Sequence, residues 1–253
     1  MAAEYAPAVS RSAFGLLGLL ALLAEIGLVT YVVVAARRAV ARLPESETDA
    51  VTRFRLAARQ VLRSRVLGDV LTTEVMLLYC ALRGPQRQAV VSGAFSVHRT
   101  STYASILAGI GMALVMETVA VHFLVRIRST ALAWTLTALS VYTLLWLIGD
   151  YRALVSRPIR VTATQLRFRY GLRWEVDIPR DAIGAMELLS PALAPTPKQE
   201  GRLVASLPGG ANLGLTLKEP GEALGLYGRR KRIRELRFRV DEPEKLRAAL
   251  ESA

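Results

Sequence analysis

YASILAGIGMALVMETVAVHFLVRIRSTALAWTLTALSVYTLLWLI, residues 103–148, contains two long apolar stretches joined by a short basic link. The stretches Tyr103–Val125 and Thr130–Ile148 each approach the ~20 apolar residues that cross ~30 Å of hydrocarbon as a helix. A third stretch, Ala13–Ala36, continues beyond the ~7–15 apolar residues of a signal-peptide core, so we interpret it as a retained anchor. The sequence therefore predicts an integral membrane protein with three spans.

The composition agrees with this class. Hydrophobic residues make up 52% of the chain, and most of its net charge of +12 lies outside the predicted spans. In a membrane protein such a charge points to topology signalling and to anionic lipid headgroups. No recognised nucleic-acid motif accompanies the charge, so nucleic acid is not expected as a partner. Cys80 is the only cysteine, which excludes an internal disulfide and a thiolate metal site.

The distribution of arginine predicts the orientation. Eight arginines lie between Arg37 and Arg65, whereas only Arg11 precedes the first span. The positive-inside rule places the N-terminus outside and the segment after the first span in the cytoplasm. The two later spans then return the chain to the cytoplasm. Because abundant Arg, Ala and Leu indicate a bacterial chain, we expect a multi-pass protein of the cell (inner) membrane with a cytoplasmic C-terminal domain.

Two shorter helices are predicted in the segment 48–83. In the first, apolar residues from Val51 to Leu62 recur at helical spacing with arginines between them, which is typical of a basic amphipathic helix. Such a helix either lies on an anionic membrane face or packs against the protein's own cytoplasmic domain. The second, Gly68–Leu82, contains Asp69 and Glu74 and is short for a span, which favours a buried, interfacial or re-entrant helix. As a fourth span it would force one basic region outside.

The residues after the third span predict a small basic β domain. Gln86–Thr102, before the second span, is expected to be a polar loop without regular structure, and Pro191–Gly201 is a second loop. Asp241-Glu242-Pro243 starts a closing helix, with Asp as its cap and Pro in its first turn. The predicted strands are Ile159–Ala163, Leu166–Tyr170, Trp174–Ile178, Leu203–Leu207, Leu213–Leu217, Ala223–Tyr227 and Ile233–Val240.

The order of these strands and the closing helix resembles a known type of bacterial domain. The relevant residues are the junction Asp150–Pro158, the hairpin LRFRYGLRWEVDIP (166–179) and the ending IRELRFRVDEPEKLRAAL (233–250). They resemble the pleckstrin-homology-like (PH-like) domains that follow transmembrane hairpins in small bacterial membrane proteins of uncharacterised function. The resemblance covers 157–253, implies an interaction or scaffold module, and supplies no catalytic residues. A generic small β barrel or split sheet also fits the pattern.

The predicted fold class is therefore an α+β membrane protein. A transmembrane helical region, 1–156, precedes a small antiparallel β domain, 157–253, with a C-terminal helix. Within the helical region, Ala104 and Ala108 are four residues apart, as are Gly109 and Ala113. This spacing of small residues lets helix backbones approach closely in lipid, either within the bundle or in a homo-oligomer.

Three polar residues fall within the predicted spans. Glu25 and Glu117 lie near the middle of oppositely running spans, and His122 lies nearer the outer end of the second. No Lys or Arg lies inside a span to neutralise the acids, and an ionised acid there costs about 2.5–3.5 kcal/mol. A protonated carboxyl that is hydrogen-bonded within the bundle is cheaper. Glu117 and His122 are five residues apart and face different sides of a helix, which argues against a two-ligand metal motif.

A catalytic, metal or proton site is the alternative interpretation of the polar residues. Histidines and carboxylates bind Zn²⁺ and other divalent cations where folding brings them together. However, His98 and Asp150 are expected near the cytoplasmic face and His122 near the other, so one compact site cannot contain all the candidates. We expect no metal and no cofactor, and prefer a structural hydrogen-bond network. The candidates are Glu74, His98, Glu117, His122 and Asp150.

A cluster of cations joins the last two predicted strands. It consists of Arg229, Arg230, Lys231 and Arg232, followed by Arg234. A turn that displays four cations beside a membrane collects anionic headgroups, at ~1 kcal/mol per cation. The alternative is a solvated turn that only reinforces the cytoplasmic orientation. The sequence favours a non-catalytic interaction or scaffold protein that contacts anionic lipid or a membrane protein partner; an enzyme or transporter using the buried acids and histidines is the second hypothesis.

Overall fold

The structure is a computed structural model that describes residues 50–83, 93–190 and 199–251, together with positions 27, 30, 31, 33–35 and 38. Those separate positions are helical. Most of the predicted first span, including Glu25, lies outside the described residues. The chain divides into two compact units, Met1–Thr72 and Thr73–Ala253. The functional division at 156/157 stays a prediction.

The described part of the chain contains five α-helices. The two short helices predicted within 48–83 are both present, and two of the others are long and apolar. The helices are α1 (Ala50–Leu62), α2 (Arg65–Leu82), α3 (Tyr103–Arg126), α4 (Thr130–Ser156) and α5 (Pro243–Glu251).

In the first unit, α1 packs against the first turns of α2. Gly68 makes this approach feasible, because a Cβ atom there would lie 2.7 Å from the Arg59 Cα atom. The buried Asp69 carboxylate accepts hydrogen bonds from Arg59 Nε at 2.8 Å and Arg59 Nη2 at 2.9 Å, and Arg55 Nε lies 3.7 Å away. Asp69, which is an acid within an apolar run, is therefore neutralised by arginines of α1.

Two helices, α3 and α4, are long and apolar enough to cross a membrane by length and composition, and almost none of their most apolar windows is buried. α3 ends one residue beyond the predicted stretch. α4 begins as predicted, where Ser129 Oγ accepts a hydrogen bond from Leu132 N, and continues eight residues past Ile148 to Ser156. Met116, Phe123 and Trp134 are all more than 60% exposed. This apolar surface indicates membrane association.

The described strands form one mixed, mostly antiparallel sheet, which makes the fold α+β. Its path is β1-β2-β3-β4-β7-β8-β6, with β5 paired to β7, and β6 runs parallel to β8. The strands are β1 (Ala94–Phe95), β2 (Ile159–Val161), β3 (Gln165–Tyr170), β4 (Trp174–Pro179), β5 (Ile183–Leu188), β6 (Arg202–Ala205), β7 (Leu213–Gly225) and β8 (Arg230–Phe238).

Four details of the predicted sheet are wrong. The predicted domain is antiparallel throughout, whereas β6 runs parallel to β8. Leu213–Leu217 and Ala223–Tyr227 are not separate strands, because β7 runs without a break from Leu213 to Gly225 and changes register between Thr216 and Gly221. Leu226 and Tyr227 belong to the turn that follows. β5 was not predicted, since its side chains do not alternate between buried and exposed. The loop before α3 contains β1, which pairs with β2 through Ala94 and Phe95. Each difference arises from pairing between strands, which local periodicity does not record.

An apolar core packs against the sheet in the described part of the second unit. Phe168, Leu213, Ile233 and Phe238 are fully buried, and the Phe168 and Phe238 rings meet edge-on with centroids 5.0 Å apart. α5 closes the core with Leu246 and Leu250, so its apolar face is used as predicted. The core also includes side chains from before residue 157: Phe95, Val97, Tyr103 and Leu154. The ends of the hairpin helices are thus part of the domain's interior.

Candidate functional site

Asp150 is the centre of a buried polar network where α4 enters the β domain. The residue is 2% exposed, and its carboxylate accepts hydrogen bonds from Arg173 Nε at 3.0 Å, Arg173 Nη2 at 2.6 Å and the Tyr103 hydroxyl at 2.6 Å. The Arg173 guanidinium also lies 4.9 Å from the Tyr103 ring centroid and contacts its hydroxyl. Burial lowers the pKa of Arg173, but the hydrogen bonds and charge of Asp150 outweigh it, so the pKa is raised. The network therefore contains an ion pair between Asp150 and Arg173.

A buried arginine, Arg157, fixes the same junction. Arg157, the residue directly after α4, donates to the Gly171 carbonyl at 2.6 Å and to Glu175 Oε2 at 3.0 Å. Gly171 has φ +59°, and a Cβ atom there would lie 3.2 Å from the Leu154 backbone, so the β3–β4 turn approaches α4 closely. Two charged contacts and one close backbone approach therefore hold the β3–β4 hairpin against the last turns of α4.

Glu74 joins three elements of the second unit. Its carboxylate accepts hydrogen bonds from the Tyr227 hydroxyl at 2.7 Å and from the Tyr142 hydroxyl of α4. Tyr227 N donates to Thr73 Oγ1 at 3.1 Å, which holds the turn between β7 and β8 beside α2. Tyr227 has φ +57°, an uncommon conformation for a tyrosine, and these contacts support it. Glu74 thus serves as an anchor for this turn.

α2 and α4 approach closely near this anchor. A Cβ atom at Gly149 would overlap the Leu77 carbonyl oxygen, so only glycine permits the contact. Arg152 Nη1 donates to the Ala81 carbonyl at 2.5 Å, which satisfies an oxygen at the C-terminal end of α2. The close approach at Gly149 and the hydrogen bond from Arg152 therefore hold the second half of α2 against α4.

His122 pairs with a hydroxyl of the neighbouring helix. Its Nδ1 atom lies 2.8 Å from Thr137 Oγ1, and that hydroxyl donates to the Ala133 carbonyl at 2.9 Å. Since the Thr137 proton is used, the hydroxyl accepts from His122 Nδ1–H. The Trp134 ring meets the imidazole at 5.0 Å between centroids. Glu117, by contrast, is exposed on α3 and has no hydrogen-bond partner among the described residues.

His98 and Asp241 lie at another corner of the domain. The Asp241 carboxylate accepts hydrogen bonds from Ser96 Oγ at 2.7 Å, Arg99 N at 3.0 Å, Thr100 N at 2.9 Å and Thr100 Oγ1 at 2.8 Å. Burial raises the pKa of Asp241, but these hydrogen bonds outweigh it and lower the pKa. Asp241 was expected to cap α5, yet its oxygens bind the 96–100 loop. Burial lowers the pKa of His98 despite the nearby Asp241 charge.

The five polar candidates do not converge. Glu74 binds two tyrosines, His122 a threonine, and Asp150 an arginine with a tyrosine, while His98 and Glu117 lie apart from these contacts. Among the residues that the structure describes, no group of three or more His, Cys, Asp or Glu side chains is arranged to hold a metal ion. The arrangement supports structural roles for Glu74, His122 and Asp150.

The prediction that four cations occupy one turn is wrong. The connection is the short turn Leu226–Gly228, and the strand β8 already begins at Arg230 because its pairing with β7 extends to Leu224. Arg230 pairs with Glu222 at 2.5 Å, and Lys231 Nζ donates to the Arg202 carbonyl at 2.5 Å. The remaining cations are exposed and have no carboxylate partner in the described ranges. We call this set the basic edge, and it consists of Arg229, Arg232 and Arg234.

Several residues of the junction were not among the candidates. Tyr103 and Arg173 complete the Asp150 network, and Tyr227 completes the Glu74 contact. Only their positions could have indicated them. Tyr103 begins an apolar stretch, Arg173 follows the turn glycine Gly171, and Tyr227 precedes the turn glycine Gly228. Comparison with family models, with curated proteins and with solved structures finds no match for this chain.

The Asp150 network predicts strong coupling between two substitutions. Asp150→Asn leaves the half-buried Arg173 without a counter-charge, so we expect the free energy of unfolding to fall by about 1–3 kcal/mol. Arg173→Gln has a similar effect, and the double variant should lose less than the sum of the two. Denaturant unfolding in mild detergent, followed by tryptophan fluorescence, measures each loss. Arg247→Gln, which breaks an exposed pair with Glu251, should cost less than ~1 kcal/mol. Strictly additive losses would contradict the network.

The Asp241 contacts predict a dependence of stability on acid. The folded-state pKa of Asp241 lies below the ordinary value of 3.8. The contribution of Asp241 to the free energy of unfolding is therefore fully present above pH 3.8, and it is lost as the pH falls through the folded-state pKa. Asp241→Asn should reduce the free energy of unfolding by about 1–3 kcal/mol at pH 7. The difference from the parent protein should shrink as the pH is lowered progressively below 3.8. Glu244→Gln, in an exposed position of α5, is the control; an unchanged difference across this range would contradict the assignment.

Proposed function

We propose that this protein is a non-catalytic interaction or scaffold protein of the bacterial cell (inner) membrane. α3 and α4, with the predicted first span, would anchor a cytoplasmic domain. The observation that carries this proposal is the buried network of Asp150, Arg173 and Tyr103, which uses the charged groups at the junction to join the domain rigidly to the helical hairpin. The contacts of Glu74 and His122 do not favour the alternative of a membrane-embedded enzyme or transporter.

We further propose that the C-terminal domain is PH-like. The meander β2–β3–β4, the long bent strand β7 and the closing helix α5 support this assignment. The parallel pairing of β6 with β8 and the added strand β1 are features of this chain. PH-like modules serve as interaction or scaffold domains in membrane proteins of this type, which agrees with the proposed role.

The basic edge supplies the proposed contact with lipid. The turn Leu226–Gly228 is held beside Thr73 and Glu74 of α2, so the basic edge begins on the side of the domain that faces the helices. Exposed arginines near a membrane surface attract anionic headgroups by about 1 kcal/mol each. We infer that Arg229, Arg232 and Arg234 contact anionic lipid and thereby orient the domain.

The proposed topology predicts opposite labelling of the two ends. In a Cys80→Ser background, new cysteines at Ser10 and Ser252 should react with a membrane-impermeant maleimide from opposite sides of intact cells, Ser10 from outside. The reason is that three spans separate the two positions. Labelling after cell lysis controls for buried thiols. Reaction of both positions from one side would contradict three spans.

The basic edge predicts protection that depends on lipid charge. With the full chain in nanodiscs, hydrogen exchange of residues 226–234 should be slower in anionic than in neutral lipid, and the difference should decrease as salt screens the charges. Serine at Arg229, Arg232 and Arg234 together should abolish the difference. Serine at Lys245 and Arg247 on α5 is the matched control. Equal exchange in both lipids at low salt would exclude headgroup contact by this edge.

A further inference from the structure

A cleft of about 460 Å³ lies among α2, α3 and α4 in the second unit. Its volume is in the range of about 300–1,000 Å³ that is usual for small-molecule sites. Its walls are mostly apolar and include Leu107, Leu144, Leu147 and Ile148. An apolar cavity of this kind does not hold ordered water well, because water needs polar partners. The cleft therefore fits an apolar ligand.

Small side chains of α3 create the space. Ala104, Ala108 and Gly111 line the cleft on one side. The four-residue spacing of Ala104 and Ala108 was expected to bring two helix backbones together, but here these residues face open volume. A Cβ atom at Gly111 would lie 3.7 Å from Leu144 Cδ2, so α3 and α4 come together at that level. The cleft follows α4 from Leu144 to Ser156, about 18 Å at 1.5 Å per residue.

Two arginines stand at the end of the cleft away from Gly111. Arg152 Nη1 donates to the Ala81 carbonyl, and the Arg83 guanidinium lies 5.2 Å from the Tyr79 ring centroid. These contacts hold both guanidinium groups at the C-terminal end of α2. Arg152 forms no ion pair with a carboxylate within the described ranges. The cleft is consequently apolar along its length and cationic at one end.

We propose that this cleft binds an anionic phospholipid, with an acyl chain along α3 and α4 and the phosphate at Arg152 and Arg83. Basic pockets between membrane helices on the cytoplasmic side suit anionic headgroups, and a guanidinium presents its donors to phosphate in a bidentate geometry. The cleft is distinct from the basic edge, because none of its lining residues belongs to β8. This inference rests on the proposed membrane location of α3 and α4.

The test measures lipid retention by the full chain. Native mass spectrometry in mild detergent, with phosphatidylglycerol or phosphatidylcholine added, should show one tightly retained phosphatidylglycerol. Ala108→Phe fills the cleft and should abolish retention, whereas Ala113→Phe, at an exposed position of α3 outside the cleft, should leave it unchanged. Arg152→Gln should weaken phosphatidylglycerol about five-fold, and Arg128→Gln at the other end of the hairpin should not.

Three results would overturn the inference: no preference for phosphatidylglycerol over phosphatidylcholine, equal retention in the two phenylalanine variants, or oleate retained as tightly as phosphatidylglycerol. Cys80 lines the cleft and gives a readout on the parent chain if Ala108→Phe misfolds. Added phosphatidylglycerol should slow alkylation of Cys80 by an apolar maleimide, and an unchanged rate also refutes the site. Extraction of membranes with carbonate separates the two proposals, because release of the protein contradicts the membrane location, whereas retention without lipid binding contradicts only the cleft.

Discussion

A buried carboxylate determines how the second unit is assembled. Asp150 lies beyond the apolar part of α4, and leaving it without a partner would cost several kcal/mol. Arg173 and Tyr103 supply the partners that let Asp150 and the last turns of α4 lie in the core. Arg173 comes from the β3–β4 turn and Tyr103 from the start of α3, so one acid fixes three elements. Arg157 then closes the same junction through Gly171 and Glu175.

The same rule applies to two further acids of the chain, Glu74 and Asp241. Glu74 lies 153 residues from Tyr227, and Asp241 lies 145 residues from Ser96, yet each pair is joined by a short hydrogen bond. The sequence identified Glu74 as conspicuous because an acid in an apolar run requires a partner. It did not identify the partner, since nothing in the local pattern of Tyr227 or Ser96 marks it. Contacts of this kind depend on the assembled fold.

Elements with local causes were predicted well. α3 and α4 follow from predominantly apolar composition, and β3 and β4 follow from alternation across a glycine turn. β5 was missed because Gly184 and Ala185 interrupt its alternation, and it exists through its pairing with β7. Pro220 lies within β7 where the ladder changes register, a position at which a proline is tolerated, so the strand continues. β1 consists of two residues and depends entirely on its pairing with β2.

The continuity of α4 has a mechanical consequence for the proposed function. No linker separates its exposed apolar turns from its buried last turns, where Ala153 and Leu154 pack inside the domain. A helix that is shared in this way does not let the domain swing on a flexible tether. In the proposed arrangement, a phospholipid in the cleft would contact α4 directly beside Asp150, whereas a headgroup on the basic edge would act through Tyr227 and Glu74. Both lipids would then act on the same helix. In this proposal, lipid binding would control the orientation of the domain and α4 together relative to the membrane.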